Sequence, residues 1–101
     1  MRSPHVEYAW SLLTNHGHVL LCIAAQPDIR IREIAARSGI TERAAHRIVA
    51  ELEEAGFVSH VRVGRRNHYE VHRSRKPDHP LERHLDVTIL EQTTSQPGGR
   101  P

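Results

Sequence analysis

Two adjacent arginines, Arg65 and Arg66, stand at the centre of the stretch VRVGRRNHYEV, residues 61–71. On both sides of them apolar residues alternate with polar ones, as they do in strands that bury one face. Gly64 and Asn67 flank the pair, and both residue types are common in tight turns. The stretch therefore predicts a hairpin whose tip carries two guanidinium groups, which are well suited to binding an anion.

Basic residues are concentrated around this hairpin. Residues 60–76 contain six of them against Glu70 alone, a local charge of +5; the chain total is +2, so the rest carries −3. Charge gathered at one place indicates a surface that contacts an anionic partner. The alternative is that these charges only keep an exposed sheet edge soluble, a task that lysine or glutamate would do equally well.

The hairpin is predicted as two strands, FVSHVRV and HYEVH, around a four-residue connection at 64–67. The alternation predicts one buried face, formed by Val61, Val63, Tyr69 and Val71. It predicts that the outward face is formed by His60, Arg62, His68, Glu70 and His72.

Two helices and a short strand are predicted before the turn that follows residue 38. The first helix begins at Thr14 or Asn15 as its cap, buries residues 19–25 and stops at Pro27. The β-branched stretch IRI at 29–31 predicts a very short strand. The second helix has the sequence REIAARSG. It buries Ile34 and Ala35, and it ends at Gly39, which supplies a left-handed residue.

A third helix follows after about three residues, with Thr41 as its N-cap and Gly56 as its stop. Its buried stripe recurs at spacings of three and four, at Ala45, Ile48, Val49 and Leu52. The short connection contains Gly39, an apolar Ile40 and a capping Thr41, the composition that a helix-turn-helix requires. A plain αα-hairpin is the alternative with the same spacing.

The C-terminal part is predicted as a linker and one more helix. Residues 74–80 contain two prolines, and LERHLDVTILEQ at 81–92 reads as a helix with Leu81, Leu85 and Ile89 on one face. Little of the domain remains to cover that face, and the chain has few aromatic residues. We therefore predict that residues 81–92 form the interface of a homodimer.

The order of these elements resembles the winged helix-turn-helix of the MarR and ArsR types of bacterial transcription regulator. The resemblance is carried by IREIAARSGITERAAHRIVAELEEAGFVSHVRVGRRNHYEV. The chain is also similar to small actinobacterial-style regulators with LTNH…VLLCIA before that stretch and HPLERH after it, so that about residues 10–90 are covered. The resemblance implies an α+β, mostly α fold: a winged helix-turn-helix with a two- to three-stranded wing sheet and a C-terminal dimerisation helix. The implied divisions are an N-terminal arm (1–13), a DNA-binding domain (14–73), a linker (74–80), a dimerisation helix (81–92) and a frayed tail (93–101).

The expected partner is double-stranded DNA, bound by a homodimer on an inverted repeat. The third helix would read the major groove, because the first two turns of such a helix expose short or forked polar side chains. The residues expected to do so are Thr41, Glu42, Arg43, Ala44, His46 and Arg47. The wing would contact the backbone and minor groove, through Arg62, Arg65, Arg66 and Asn67. The alternative for the helix is that its arginines only pair with Glu42 and Glu51 on a solvated surface.

Other functions are weighed against this prediction. Nine histidines raise the possibility of a metal-responsive regulator, but they lack a helical His-x3-His spacing. Cys22 has no second cysteine and reads as a core residue of a cytoplasmic protein. No nucleotide-binding loop, nucleophile elbow or apolar run long enough for a membrane is present, so neither an enzyme, a cofactor nor a membrane partner is expected. A winged helix that binds protein within a larger complex remains the main alternative.

Overall fold

The computed structural model describes residues 10–94, and the predictions for the N-terminal arm before residue 10 and the tail from 95 lie outside this range. Its elements follow one another along the chain as four α-helices, a two-stranded hairpin and one 3-10 turn. They are α1 (Asn15–Ala25), α2 (Ile31–Ser38), α3 (Glu42–Glu54), β1 (Val58–Val63), β2 (Arg66–Val71), a short 3-10 helix (Pro80–Glu82) and α4 (Val87–Thr94).

The predicted caps begin and end the first three helices. The Thr14 hydroxyl accepts from the Gly17 amide, and the Thr41 hydroxyl accepts from the Ala44 amide at 3.0 Å. Gly39 has a φ of 75°, the left-handed conformation that glycine adopts without steric cost. A three-residue turn therefore joins α2 to α3 in a helix-turn-helix.

The core lies where α1, α2 and α3 meet. The predicted stripe of α3 is buried throughout, with Ala45 fully buried and Leu52 6% exposed. Ile34 of α2 and Val19 and Ile23 of α1 are fully buried against it. Apolar contact on three sides fixes which face of α3 turns to solvent.

The predicted strand at 29–31 does not form, and the sheet has two strands. The Ile29 amide bonds to the carbonyl of Gln26 in a turn, and the Arg30 amide donates to the Glu33 carboxylate at 2.9 Å. That carboxylate caps the start of α2, so the chain enters a helix at Ile31 instead of extending. This segment is joined to β2 by a backbone hydrogen bond from the Tyr69 amide to the Pro27 carbonyl and by a side-chain bond between His68 and Asp28.

The wing, defined as β1, β2 and their connection, has a different register from the predicted one. Val63 pairs with Arg66, so the connection is two residues long, Gly64 and Arg65, with Gly64 at a φ of 63°. Residues directly opposite each other share a face. The core face thus carries Val58 with Val71, His60 with Tyr69, and Arg62 with Asn67.

The buried-face prediction for the wing is consequently half wrong. Val61 and Val63 lie opposite His68 and Arg66 on the outer face, and they are 60% and 61% exposed. Tyr69 is 3% exposed, as predicted. His60 and Arg62, predicted to point outward, are exposed, although they lie on the same face of the hairpin as Tyr69.

The predicted helix at 81–92 is also corrected. After the 3-10 turn the chain forms α4 only from Val87, because the Asp86 carboxylate accepts the Ile89 amide at 2.9 Å and caps the helix there. Val87 is 2% exposed and α4 packs on α1. Leu81 lies outside α4 and is 89% exposed, so Leu81, Leu85 and Ile89 do not form one helical stripe.

No helix in residues 10–94 is long and apolar enough to cross a membrane.

Candidate nucleic-acid interface

The exposed face of α3 begins with its first two turns. Arg43, His46 and Arg47 are exposed there, opposite the buried stripe, whereas Ala44 is half-buried. Thr41 and Glu42 are exposed at the start of the helix, where the backbone amides are not all used by intrahelical bonds. The structure therefore brings the predicted recognition residues onto one solvent-facing end of α3.

Charge divides α3 into two halves. The basic side chains Arg43 and Arg47 lie in the first half together with one acidic residue, Glu42, whereas three acidic residues, Glu51, Glu53 and Glu54, lie in the last turn. Phosphates are repelled by that acidic end. The helix can therefore approach DNA with its N-terminal half, the end from which recognition helices read base edges.

Arg47 has an intramolecular partner. Its Nη1 lies 3.4 Å from Oε2 of Glu51, and His16 of α1 donates to Oε1 of the same carboxylate at 2.6 Å. The hydrogen bond from His16, aided by Arg47, holds the pKa of Glu51 below its ordinary value of 4.5. Within residues 10–94 no side chain pairs with Arg43. The alternative, in which these arginines pair with glutamates, is thus met by Arg47 and not by Arg43 within the described residues.

The wing carries its arginines on and beside a two-residue turn. Arg65 is at the tip, while Arg66 and Asn67 belong to β2 and not to the turn. Arg62 donates through Nε to the Gly64 carbonyl at 3.2 Å, which holds this side chain along the tip. In the described part of the chain, neither Arg65 nor Arg66 has a side-chain hydrogen bond or ion pair.

Two of the basic residues in 60–76 serve the fold. Arg73 forms two 3.0 Å bonds with Glu91 of α4, and these bonds raise the pKa of Arg73 above its ordinary value. Arg75 stacks on Phe57 at 4.7 Å and donates to the Ala55 carbonyl at 2.9 Å, at the end of α3. The cluster is thus smaller than the sequence indicates, and its free members are near the wing tip.

Sequence reasoning missed Arg30. It lies at the start of α2 and shares a groove with Arg62, Arg65 and Arg66. The sequence predicts a strand at 29–31, and a strand there gives no reason to expect Arg30 beside the wing. The signal that could have found it is Glu33, three residues on, because that spacing marks a helix start.

The described residues contain no group of three or more histidine, cysteine or acidic side chains that could hold a metal ion. Cys22 is buried in α1, with its Sγ 3.7 Å from the Ser38 hydroxyl.

The residues predicted for a dimer interface do not lie on one helix. Leu85 is half-buried and precedes α4, whereas Ile89 belongs to α4 and is 41% exposed.

Comparison with known proteins agrees with this geometry. Residues 12–59 match a family model described as winged helix-turn-helix DNA-binding. The match spans α1, α2 and α3 and ends at the start of β1, so the wing tip lies beyond it. A search of curated proteins gave no match. With three packed helices, a helix-turn-helix connection and a two-stranded wing, the chain has a winged helix-turn-helix fold.

Proposed function

We propose that this chain is a transcription regulator that reads double-stranded DNA with the first half of α3 and contacts the neighbouring backbone with its wing. The observation that carries the proposal is the exposed arginine face of α3. Arg43 and Arg47 stand one turn apart on the side opposite the core, and no acidic residue follows until Glu51. Forked guanidinium groups in that position suit the O6 and N7 acceptors of guanine.

Roles within this surface follow from what each residue already binds. Among the described residues Arg43 has no side-chain partner, so its guanidinium is free for a base, while Arg47 must exchange Glu51 for DNA. The Thr41 hydroxyl is used by the Ala44 amide, so its role is to orient the helix start toward a phosphate. The contact of α3 with DNA is completed at its edges by Glu42, Ala44 and His46. Arg62, Arg65, Arg66 and Asn67 are assigned to the wing contact.

We further assign the working form as a MarR- or ArsR-like homodimer on an inverted repeat in the cytoplasm. Exposed apolar side chains near the C-terminal end support a self-interface, Leu81 and Ile89 among them. The interface differs from a single helical stripe, because Leu81 precedes α4. The proposed divisions are a DNA-binding part at 14–73, a connection at 74–80 and a dimerisation part at 81–92.

Selection of bound fragments from random duplex DNA tests the function. The full chain should enrich one motif, and its affinity for that motif should exceed its affinity for a shuffled duplex by about 10³-fold or more at physiological salt. The matched variants are Arg43→Ala on α3 and Arg37→Ala, an exposed arginine at the end of α2. Enrichment of no motif, or equal loss in both variants, would refute sequence-specific reading by α3.

A further inference from the structure

A groove of about 420 Å³ lies between the start of α2 and the wing. Its lining holds four arginines, Arg30 from the α2 side and Arg62, Arg65 and Arg66 from the wing. Asp28 is the carboxylate in this lining, so four positive charges face one negative charge and the net charge is +3. A concave surface with this excess of positive charge attracts anions. We call it the basic groove.

The two walls of the basic groove are tied together. The Tyr69 amide donates to the Pro27 carbonyl at 2.9 Å, and His68 bonds to the Asp28 carboxylate. Ile29 and Tyr69 line it from the core and are 2% and 3% exposed. Buried anchors on both walls fix the backbone positions from which the arginine side chains extend.

Most guanidinium groups of the basic groove are free to bind. The backbone amide of Arg30 donates to the Glu33 carboxylate, and within the described chain the Arg30 side chain has no ion-pair partner. Arg62 donates to the Gly64 carbonyl through Nε, which leaves both of its Nη groups able to donate to a ligand. Asp28 is already engaged by His68. Like charges around one space repel each other, and an anion between them removes that repulsion.

We propose that the basic groove binds a phosphate group, with Arg30 as a contact residue alongside the three wing arginines. Arginine forks match the oxygens of a phosphate. The volume falls in the range of small-ligand pockets, so there is room for the sugar or base that the phosphate carries. The phosphate has two possible sources: the DNA strand that passes between wing and α2, or a free phosphorylated small molecule. The first source rests on the proposed function, and the second does not.

Titration of the full chain with inorganic phosphate at constant ionic strength tests the site itself. Backbone amide resonances of residues 29–31 and 65–69 should shift together and saturate. Arg30→Gln should weaken phosphate binding about fivefold, as expected for one charge at about 4 Å in water. The substitution leaves the start of α2 intact, because the cap uses the main chain of Arg30. Arg37→Gln, which removes the same charge outside the groove, should have no effect.

Binding to the selected duplex at several salt concentrations separates the two sources. If the phosphate belongs to DNA, Arg30→Gln should reduce the slope of log affinity against log salt by about 0.9 per subunit, whereas Arg37→Gln should not. If phosphate binding falls in Arg30→Gln but this slope is unchanged, the groove serves a free phosphorylated molecule.

Two results would overturn the proposal: no saturable shifts in the groove, or equal phosphate binding by Arg30→Gln and Arg37→Gln. Failure of the proposed function looks different. In that case the chain would enrich no duplex, while the phosphate titration would still report on the groove. An adventitious charge effect is excluded by the matched variant, since both substitutions remove one arginine.

Discussion

Arg43 and Arg47 occupy successive turns of α3, but they differ in their surroundings. Arg47 lies 3.4 Å from Glu51, while Arg43 has no such neighbour among the described residues. Binding a base therefore costs Arg47 an existing interaction and costs Arg43 none. A solvent-exposed pair of this kind contributes little to stability, because water and salt screen it. In our proposal both arginines contact bases. The free energy of binding DNA differs between them, because Arg47 first gives up its contact with Glu51.

We predict that Arg43→Ala relaxes the preference at one base pair, with a loss of about 1–3 kcal/mol of discrimination. Arg47→Ala should relax a neighbouring position by less, because the free protein loses its Glu51 contact at the same time. The measurement is the affinity for every single-base variant of the selected duplex. Unchanged base preferences in both variants would show that other residues read the site.

A second residue-scale prediction concerns Glu51. Its pKa lies below 4.5 mainly because His16 donates to it. We predict that His16→Ala raises the pKa of Glu51 toward that value, whereas His18→Ala, which removes a histidine bonded to Ser11, leaves it unchanged. Carboxyl carbon resonances followed against pH measure this value.

The same contact fixes the sign of a pH effect on stability. A carboxyl group with a lowered pKa in the folded state stabilises it above the unfolded pKa, and that stabilisation disappears as the pH falls through the folded value. The stability difference between the parent and His16→Ala should therefore be larger near pH 6 than at pH 3. A difference that grows on acidification would contradict this assignment.

At the scale of elements, the wing register decides which side chains contribute to the core. Val58 is 2% exposed at the base of the hairpin, whereas Val61 and Val63 point away from the core. We predict that Val58→Thr destabilises the fold by about 1–3 kcal/mol, since it buries a hydroxyl. Val61→Thr and Val63→Thr should each cost less than about 0.5 kcal/mol. Thermal unfolding compares them, and equal losses would mean that the hairpin packs in another register.

The wing tip can be tested as a unit by Arg65→Ala with Arg66→Ala. The fold should survive, because both side chains are exposed and Gly64 still supplies the turn. Affinity should fall for selected and shuffled duplexes alike, and the salt slope should decrease by about 0.9 for each lost phosphate contact. A guanidinium in the minor groove would make the loss larger on A·T-rich flanks.

The matched control for the wing is Arg37→Ala with Lys76→Ala. It removes the same charge from exposed positions outside the basic groove. If the control lowers affinity and salt slope as much as the wing variant, the effect is one of net charge. If the wing variant behaves as the parent does, the wing does not touch DNA, and the protein-binding alternative gains support.

At the scale of the whole molecule, the prediction is a homodimer that reads two half-sites about 10–10.5 base pairs apart. Sedimentation at micromolar protein should give a dimer, and Leu81→Asp with Ile89→Asp should shift it to monomer. Val63→Asp, which changes an exposed apolar residue on the wing, should leave the dimer intact. A parent that sediments as a monomer, or a footprint over one half-site, would contradict the dimer.

Local signals in the sequence determined most of the helical part. Thr14, Thr41 and Gly39 mark helix ends by their own backbone chemistry, and the stripe of α3 recurs with the helical period. These features depend on neighbours within about four residues, so they can be read without knowing the fold. The exposed recognition face of α3 follows from the same stripe, because it is simply the opposite side.

Only the tertiary structure decided which apolar residues the wing buries and what its arginines face. Alternation within a strand does not reveal which of its two faces packs on the core: Val61 and Val63 lie outside, whereas Tyr69 on the paired strand lies inside. The strand predicted at 29–31 and the helix predicted from 81 failed because the carboxylates of Glu33 and Asp86 set the helix starts. The position of Arg30 beside the wing depends on a contact 42 residues away along the chain, between Tyr69 and Pro27. Such a contact between distant segments leaves no periodic trace in the sequence, so the basic groove emerges only when the chain is folded.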